Sequence, residues 1–158
     1  MSAGPLVASG IGILLLVVTA YVLVGGTLAT TEVMVEAQSN LAMYQEARMR
    51  TAIEIQNTTI VDNETLSVEV KNTGGEPVVD IPLIDVYISN GSAPVYVPYG
   101  NEGGNYWSSA GIDPDHIHPR ELDPGETLTL RVTHEKDAKP TWVQVVTPNG
   151  VSSSAYIR

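Results

Sequence analysis

Cysteine is absent from this 158-residue chain, and so is phenylalanine. Without cysteine the chain can form no disulfide bond and offers no thiol nucleophile, and the redox compartment stays undecided. Basic residues are scarce, with 8 Lys plus Arg against 18 Asp plus Glu and a formal charge of −10. This charge disfavours nucleic acid and anionic lipid surfaces as ligands, because both attract Lys and Arg.

Sequence signatures of catalysis are also missing. The chain contains no Gly-rich phosphate loop, no G-x-S-x-G nucleophile motif, no H-E-x-x-H and no paired carboxylates at a strand end. The sequence therefore predicts a non-enzymatic protein without a cofactor.

An uncharged apolar run occupies residues 6–28 near the N-terminus. As an α-helix at about 1.5 Å per residue it extends roughly 34 Å, enough for a bilayer core of about 30 Å. No Lys or Arg precedes the run, and the first charged side chain is Glu32. A secretory leader needs a basic start and a small-residue cleavage site, so we expect the helix to be retained as a single membrane span.

The hydrophobic period changes twice after this run. Val33, Ala37, Leu41 and Tyr44 recur at spacings of three and four, which predicts that the helix continues as an amphipathic neck. From Thr51 apolar residues alternate with polar ones in about seven short segments separated by Gly, Pro and Asn turns. The pattern predicts an all-β immunoglobulin-like β-sandwich preceded by a long N-terminal transmembrane, pilin-like helix. The predicted parts are a transmembrane helix (1–31), a helical neck (32–50) and an extracytoplasmic sandwich (51–158).

Four potential metal ligands alternate in the segment GIDPDHIHPRELDPGE, namely Asp113, Asp115, His116 and His118. Two imidazoles and a carboxylate on one side of an extended segment suit zinc or another transition metal. Three prolines in and beside the cluster favour the other interpretation, an irregular loop whose Asp side chains bond to their own turns. We expect a surface loop without structural metal.

Aromatic residues gather in a second unusual segment, VPYGNEGGNYWSSAGI. Its Gly-rich composition predicts a loop rather than a regular strand. Tyr99, Tyr106 and Trp107 in this loop suit a protein interface, where rigid rings give large contact areas. The alternative is that the rings fill the core in place of phenylalanine. We expect Tyr99, Tyr106 and Trp107 to bind a partner.

Three N-x-[ST] sequons lie beyond the apolar run, at Asn57, Asn63 and Asn90. Such acceptors are glycosylated only on exported chains, so they favour a C-terminal domain outside the cell and mark three candidate N-glycosylation sites.

The order of these parts resembles the archaellum protein F family, a stator component of the archaeal swimming motor. The resemblance rests on the apolar helix, EARMRTAIEIQNTTI, TLSVEVKNTGGEPV, LDPGETLTLRV and TWVQVVTPNGVSSSAYIR. It implies an immunoglobulin-like domain outside the cytoplasmic membrane that binds a surface-layer protein and so anchors the motor to the cell envelope. It also implies a homodimer or larger assembly that works beside the related archaellum protein G, in contact with the filament.

ASGIGILLLVV, residues 8–18, resembles the start of a mature archaellin, the filament subunit. This resemblance implies the alternative function, a subunit that polymerises through its hydrophobic N-terminal helix. An archaellin precursor carries a short basic leader ending in Gly, whereas the stretch before this helix is the uncharged MSAGP. The stator interpretation is therefore the stronger one.

Overall fold

The computed structural model of the chain describes residues 3–157, which fall into two units divided between Met43 and Tyr44. One long helix, α1 (Gly4–Arg50), contains the apolar run and the neck. It is the one helix among residues 3–157 that is long and apolar enough to cross a membrane, with a mean hydropathy of 2.5 in its most apolar window.

Threonines inside α1 keep their hydroxyl groups satisfied without leaving the helix. The hydroxyls donate to carbonyl oxygens one turn earlier, Thr19 to Leu15 (2.9 Å), Thr27 to Leu23 (3.0 Å) and Thr30 to Gly26 (2.8 Å). This back-bonding removes the cost of placing a hydroxyl in an apolar environment. These three threonines are therefore compatible with a membrane span.

Residues 3–157 contain eight strands, all in antiparallel pairs: β1 (Ile53–Ile60), β2 (Thr65–Asn72), β3 (Asp85–Ser89), β4 (Val95–Val97), β5 (Tyr106–Asp113), β6 (Thr127–Thr133), β7 (Trp142–Val146) and β8 (Ser152–Tyr156). One sheet has the strand order β1-β2-β6-β5 and the other β4-β3-β7-β8. The predicted fold class, a β-sandwich after a long N-terminal helix, is confirmed.

The core lies between the two sheets because alternate residues of each strand are apolar. Inward side chains of β2 and β6 face those of β3 and β7, and ten of the apolar ones are buried: Leu66, Val68, Val70, Leu128, Leu130, Val132, Val86, Ile88, Val143 and Val145. A period of two places such residues on one face of a strand, which is why the sequence pattern predicts these elements.

Strand β5 corrects one prediction. The Gly-rich composition of the aromatic segment predicts an irregular loop, but its second half pairs with β6 from Tyr106 to Asp113, with a bulge between Ser109 and Gly111. The segment carries too few apolar residues to show a period of two, because β5 lies at the sheet edge and exposes Ser109, Ala110 and Gly111. Only its pairing with β6 makes it a strand.

A dense junction joins the end of α1 to the sandwich. The amides of Thr73 and Gly74 donate to the Ala52 carbonyl (2.9 and 3.0 Å), and the Gly75 amide donates to the Arg50 carbonyl (2.8 Å). The Arg50 carbonyl is one of the groups at the helix C-terminus that have no partner within the helix, and the Ala52 carbonyl lies two residues beyond the helix end. The turn after β2 therefore caps α1.

Candidate binding groove

A groove of about 450 Å³ runs beside the exposed edge of β5. We call it the Tyr99 groove; it is lined by Ile81, Pro82, Tyr99, Ser109, Gly111, Ile112, Asp115 and Arg120. Two residues predicted for different roles, Tyr99 and Asp115, thus line one cavity. Its walls come from the short 3-10 turn Ile81–Leu83, from β5 and from the loop that follows β5.

Tyr99 is held rigidly at the groove although it is 46% exposed. Its ring packs edge-on against the Trp107 ring, with centroids 4.8 Å apart and planes at 67°. The main chain on both sides is bonded to β5, because the Trp107 amide donates to the Pro98 carbonyl and the Gly100 amide donates to the Trp107 carbonyl, both at 2.9 Å. A ring fixed in this way loses little entropy on binding.

The three aromatic residues predicted to bind a partner have different environments. Tyr99 is exposed, Tyr106 is partly buried and Trp107 is completely buried, with 0% exposure. The Trp107 indole Nε1 has no hydrogen-bond partner among residues 3–157. Trp107 offers no side-chain surface to a partner in this structure, and its contribution to the groove is the support of Tyr99.

The opposite wall of the groove is the loop after β5, and two buried carboxylates hold it. The Asp123 side chain accepts a hydrogen bond from the His118 amide (2.9 Å), and that of Glu126 accepts bonds from the amides of His116 (3.3 Å) and Asp123 (3.1 Å). Asp123 is 2% exposed and Glu126 4%. Charged acceptors make strong hydrogen bonds to backbone amides, so the loop has a fixed shape despite its exposure.

Sequence reasoning missed Asp123 and Glu126 as site residues. The available signal was their spacing, Asp-Pro-Gly-Glu, since an acidic residue three positions after Asp around a Pro-Gly turn can bond back to the amide of that Asp. Nothing in the sequence showed that both side chains would be buried.

The four potential metal ligands take part in this loop in different ways. Asp113 ends β5, and the Asp115 carboxylate accepts hydrogen bonds from the Arg120 amide at 3.2 Å to each oxygen. That contact supports the left-handed backbone of Arg120, whose φ is 74°. The His118 imidazole Nδ1 lies 3.0 Å from Asp123 Oδ1. Within residues 3–157 there is no group of three His, Cys, Asp or Glu side chains that could hold a metal ion.

His118 and Asp123 change each other's protonation. The hydrogen bond to Asp123 and the charge of that carboxylate raise the pKa of His118 above its ordinary 6.5, and Glu121 and Glu126 add to this. The hydrogen bond from His118 lowers the pKa of Asp123 below its ordinary 3.8. The raised histidine pKa stabilises the fold below pH 6.5, an effect lost as pH rises through the raised value. The lowered Asp123 pKa stabilises it above pH 3.8, an effect lost as pH falls through the lowered value. Both contributions of the ion pair are therefore fully present between pH 3.8 and pH 6.5.

We predict that Asp123→Asn lowers the pKa of His118 towards its ordinary value, because the principal hydrogen bond and charge partner is changed. Imidazole resonances of the full-length protein followed by NMR against pH measure this. Glu121→Gln is the control and should lower the His118 pKa by less, since Glu121 is a smaller cause. An unchanged His118 pKa in Asp123→Asn would contradict the ion pair.

All three sequon asparagines are exposed. Asn57 lies within β1, Asn63 in the turn before β2 and Asn90 in the turn after β3. The Ser92 hydroxyl of the third sequon donates to Asn90 Oδ1 at 2.6 Å. The three sites are sterically accessible from solvent.

Comparison with known proteins gives structural likeness alone. No family model matches the chain, and no curated protein matches it. The chain is similar to the solved archaellum periplasmic stator protein FlaG from Sulfolobus acidocaldarius, at 20% identity and a TM-score of 0.56, over 66% of this chain and 97% of that one. It is also similar to a chain of the archaellum periplasmic stator complex of FlaF and FlaG from the same organism, at 20% identity and a TM-score of 0.54, over 65% and 85%. The chain thus shares the fold of these archaellum stator proteins, in agreement with the sequence resemblance.

Proposed function

We propose that the protein is a non-enzymatic stator component of the archaeal motility machinery, which anchors the archaellum motor to the cell envelope by binding a surface-layer protein. Residues 1–31 span the cytoplasmic membrane, residues 32–50 form a neck, and residues 51–158 form the extracytoplasmic domain. The stator-like fold and the apolar part of α1 support this assignment. The exposed sequons after the span support a C-terminal domain outside the cell.

A physical requirement of a rotary motor links this architecture to the surface layer. A filament can turn against the cell only if part of the motor stays fixed, and a single helix in a fluid bilayer drifts laterally. A protein with a membrane span and an outer domain resists torque when its outer domain binds a rigid lattice. The same domain can contact an archaellum protein G homologue, as expected from the resemblance and from the FlaF and FlaG complex.

The Tyr99 groove is the surface that we assign to the envelope partner, and the rigid, exposed Tyr99 ring is the observation that carries this assignment. It combines an aromatic ring, an apolar floor at Ile81 and Ile112, and two charged residues at the rim, Asp115 and Arg120. Aromatic anchors beside a pocket are typical of binding hot spots. The two charged residues at the rim contribute more to the orientation of the bound partner than to the affinity of binding.

Truncation of Tyr99 tests the assignment. We predict that Tyr99→Ala weakens binding of the full-length protein to isolated surface-layer sheets about thirtyfold, the equivalent of about 2 kcal/mol for a hot spot. Co-sedimentation of detergent-solubilised protein with the sheets measures the affinity. Tyr156→Ala is the matched control, because Tyr156 is a more exposed tyrosine (78%) on a different strand, β8. Equal affinity of the two variants would exclude the groove as the contact surface.

The archaellin-type filament subunit remains the second candidate function, and the exposure of the apolar side chains along α1 favours it. Full-length protein that ignores surface-layer sheets and assembles into long filaments, seen by electron microscopy, would replace the stator proposal with this one.

A further inference from the structure

The outer face of the sheet β4-β3-β7-β8 carries an unusual set of side chains. Successive residues of a strand lie on opposite faces, and buried residues such as Val86 and Val143 occupy the inner one. The outward positions are Asp85, Tyr87, Ser89, Tyr96, Trp142, Gln144, Val146, Ser152, Ser154 and Tyr156. Each strand thus presents one aromatic ring, and Asp85 is the single charged residue at these positions. We call this surface the aromatic face.

The outer face of the other sheet has a different composition, typical of a solvated surface. The outward positions of its central strands, β2 and β6, are Thr65, Ser67, Glu69, Lys71, Thr127, Thr129, Arg131 and Thr133. They include three charged residues and no aromatic residue. The rings of the aromatic face contribute nothing to the core between the sheets, so their concentration on one outer face indicates a binding surface.

The strand register arranges the aromatic face in rows. Tyr96, Tyr87, Gln144 and Ser154 lie opposite one another on neighbouring strands and form the central row. The Tyr96 and Tyr87 rings are tilted by 55°, with centroids 5.5 Å apart, and Tyr96 is 49% exposed. Trp142 lies two residues from Gln144 on β7 and flanks this row, and Tyr156 lies beyond Trp142, outside the row. The row therefore combines two rings, an amide and a hydroxyl group.

The polar neighbours of the rings indicate the class of ligand. The cores of protein interfaces are depleted in Ser and Asp, whereas serines, an amide and one carboxylate lie between these rings. Nucleic acid stacks on aromatic rings but needs Lys or Arg to bind its phosphates, and the outward positions include neither. A neutral sugar has an apolar ring face that stacks on Tyr or Trp, and hydroxyl groups that bond to amides and hydroxyls. The composition of the face therefore fits a carbohydrate.

We propose that the aromatic face binds an oligosaccharide of neutral sugars, which lies along the central row. Sugar rings stack on Tyr96 and Tyr87 and contact Trp142 at the side, and sugar hydroxyls bond to Gln144 and Ser154. Four strands about 4.8 Å apart give the row a length of roughly 14 Å, which holds about three sugar rings. None of these residues lines the Tyr99 groove, so the inference does not rest on surface-layer binding.

Titration of the full-length protein in detergent with released glycans tests the site. The probes are the neutral oligosaccharides released by hydrazinolysis from surface-layer sheets and, in a separate arm, from this protein itself, which distinguishes two sources of the ligand. Fluorescence reports stacking at Trp142, because the other tryptophan, Trp107, is completely buried. We expect a saturable change in emission with glycans from at least one arm. No change in either arm would overturn the proposal.

Substitutions in the central row show whether the glycan lies there, with the affinity measured by calorimetry. Tyr96→Ala and Tyr87→Ala should each weaken glycan binding about tenfold, the upper range for an aromatic contact. Tyr96→Phe keeps the ring and should retain most of the affinity, which excludes loss of fold at this position. Tyr44→Ala is the matched control and should bind normally, since Tyr44 is similarly exposed (56%) but lies on α1.

The remaining outcomes separate this site from other surfaces. Equal losses in Tyr96→Ala and Tyr44→Ala would overturn the proposal. So would a protein partner that binds the wild type but not Tyr96→Ala while no glycan binds, since the face would then be a protein interface. Glycan binding without binding to surface-layer sheets would leave the aromatic face intact and reject the surface-layer proposal alone. Binding to the sheets with no glycan bound in either arm would do the reverse.

Discussion

Replacement of Trp107 with alanine is expected to lower the free energy of unfolding by about 3–5 kcal/mol, the usual cost of removing a large aromatic ring from a core. Trp107 is completely buried and is the largest of the fully buried side chains. Its removal leaves a cavity beneath Tyr99, whose ring packs edge-on against it. We therefore expect the same substitution to loosen the groove and to weaken partner binding.

Denaturant unfolding of the full-length protein in detergent measures this effect, with Trp142, the second of the two tryptophans, as the fluorescent reporter. Trp107→Phe should lower the free energy of unfolding by less than Trp107→Ala, because phenylalanine retains an aromatic ring. The replacement also loses no hydrogen bond, since the indole nitrogen of Trp107 has no partner among residues 3–157. Tyr156→Ala, at an exposed site, should change stability by no more than about 0.5 kcal/mol. A loss below about 1 kcal/mol for Trp107→Ala would contradict its place in the core.

Gly74→Ala is expected to destabilise the protein by about 1–3 kcal/mol or more, as overpacking against rigid surroundings does. A Cβ atom at Gly74 would overlap main-chain atoms of Arg50, Thr51 and Ala52, where α1 ends. Main chain cannot move aside as a flexible side chain can. The Gly74 amide also donates to the Ala52 carbonyl and to Asn72 Oδ1, both at 3.0 Å, and a shift of the turn would weaken both bonds.

Gly75→Ala is the matched control for this position. A Cβ atom added to Gly75, the next residue along the chain, would meet no other atom within 4 Å, so alanine there should be almost neutral. Thermal melts of both variants and the wild type, in one detergent, compare them. A normal melting temperature for Gly74→Ala would show that the junction between α1 and the sandwich tolerates expansion.

The fold class was predictable because the sequence contains two hydrophobic periods, one typical of a helix and one typical of strands. The uncharged run and the three- and four-residue spacing after it specify helix α1 from Gly4 to Arg50. Strict alternation in TLSVEVK and ETLTLRV specifies β2 and β6, because a half-buried strand needs apolar residues on one face alone. These are local properties, and they survive in any tertiary arrangement.

The site depended on contacts between residues distant in the sequence. Tyr99 and Trp107 occur in one Gly-rich segment with no period, so the sequence could not tell which ring is buried; the pairing of β5 with β6 turns Trp107 inwards and leaves Tyr99 exposed. The same packing brings Ile81, Ile112 and Asp115 into one groove. Composition and pattern alone determined the apolar helix, the acidic charge and the alternation of the strands. Only the tertiary structure decided which aromatic ring meets solvent and which carboxylates are buried, because both outcomes depend on which strand covers which.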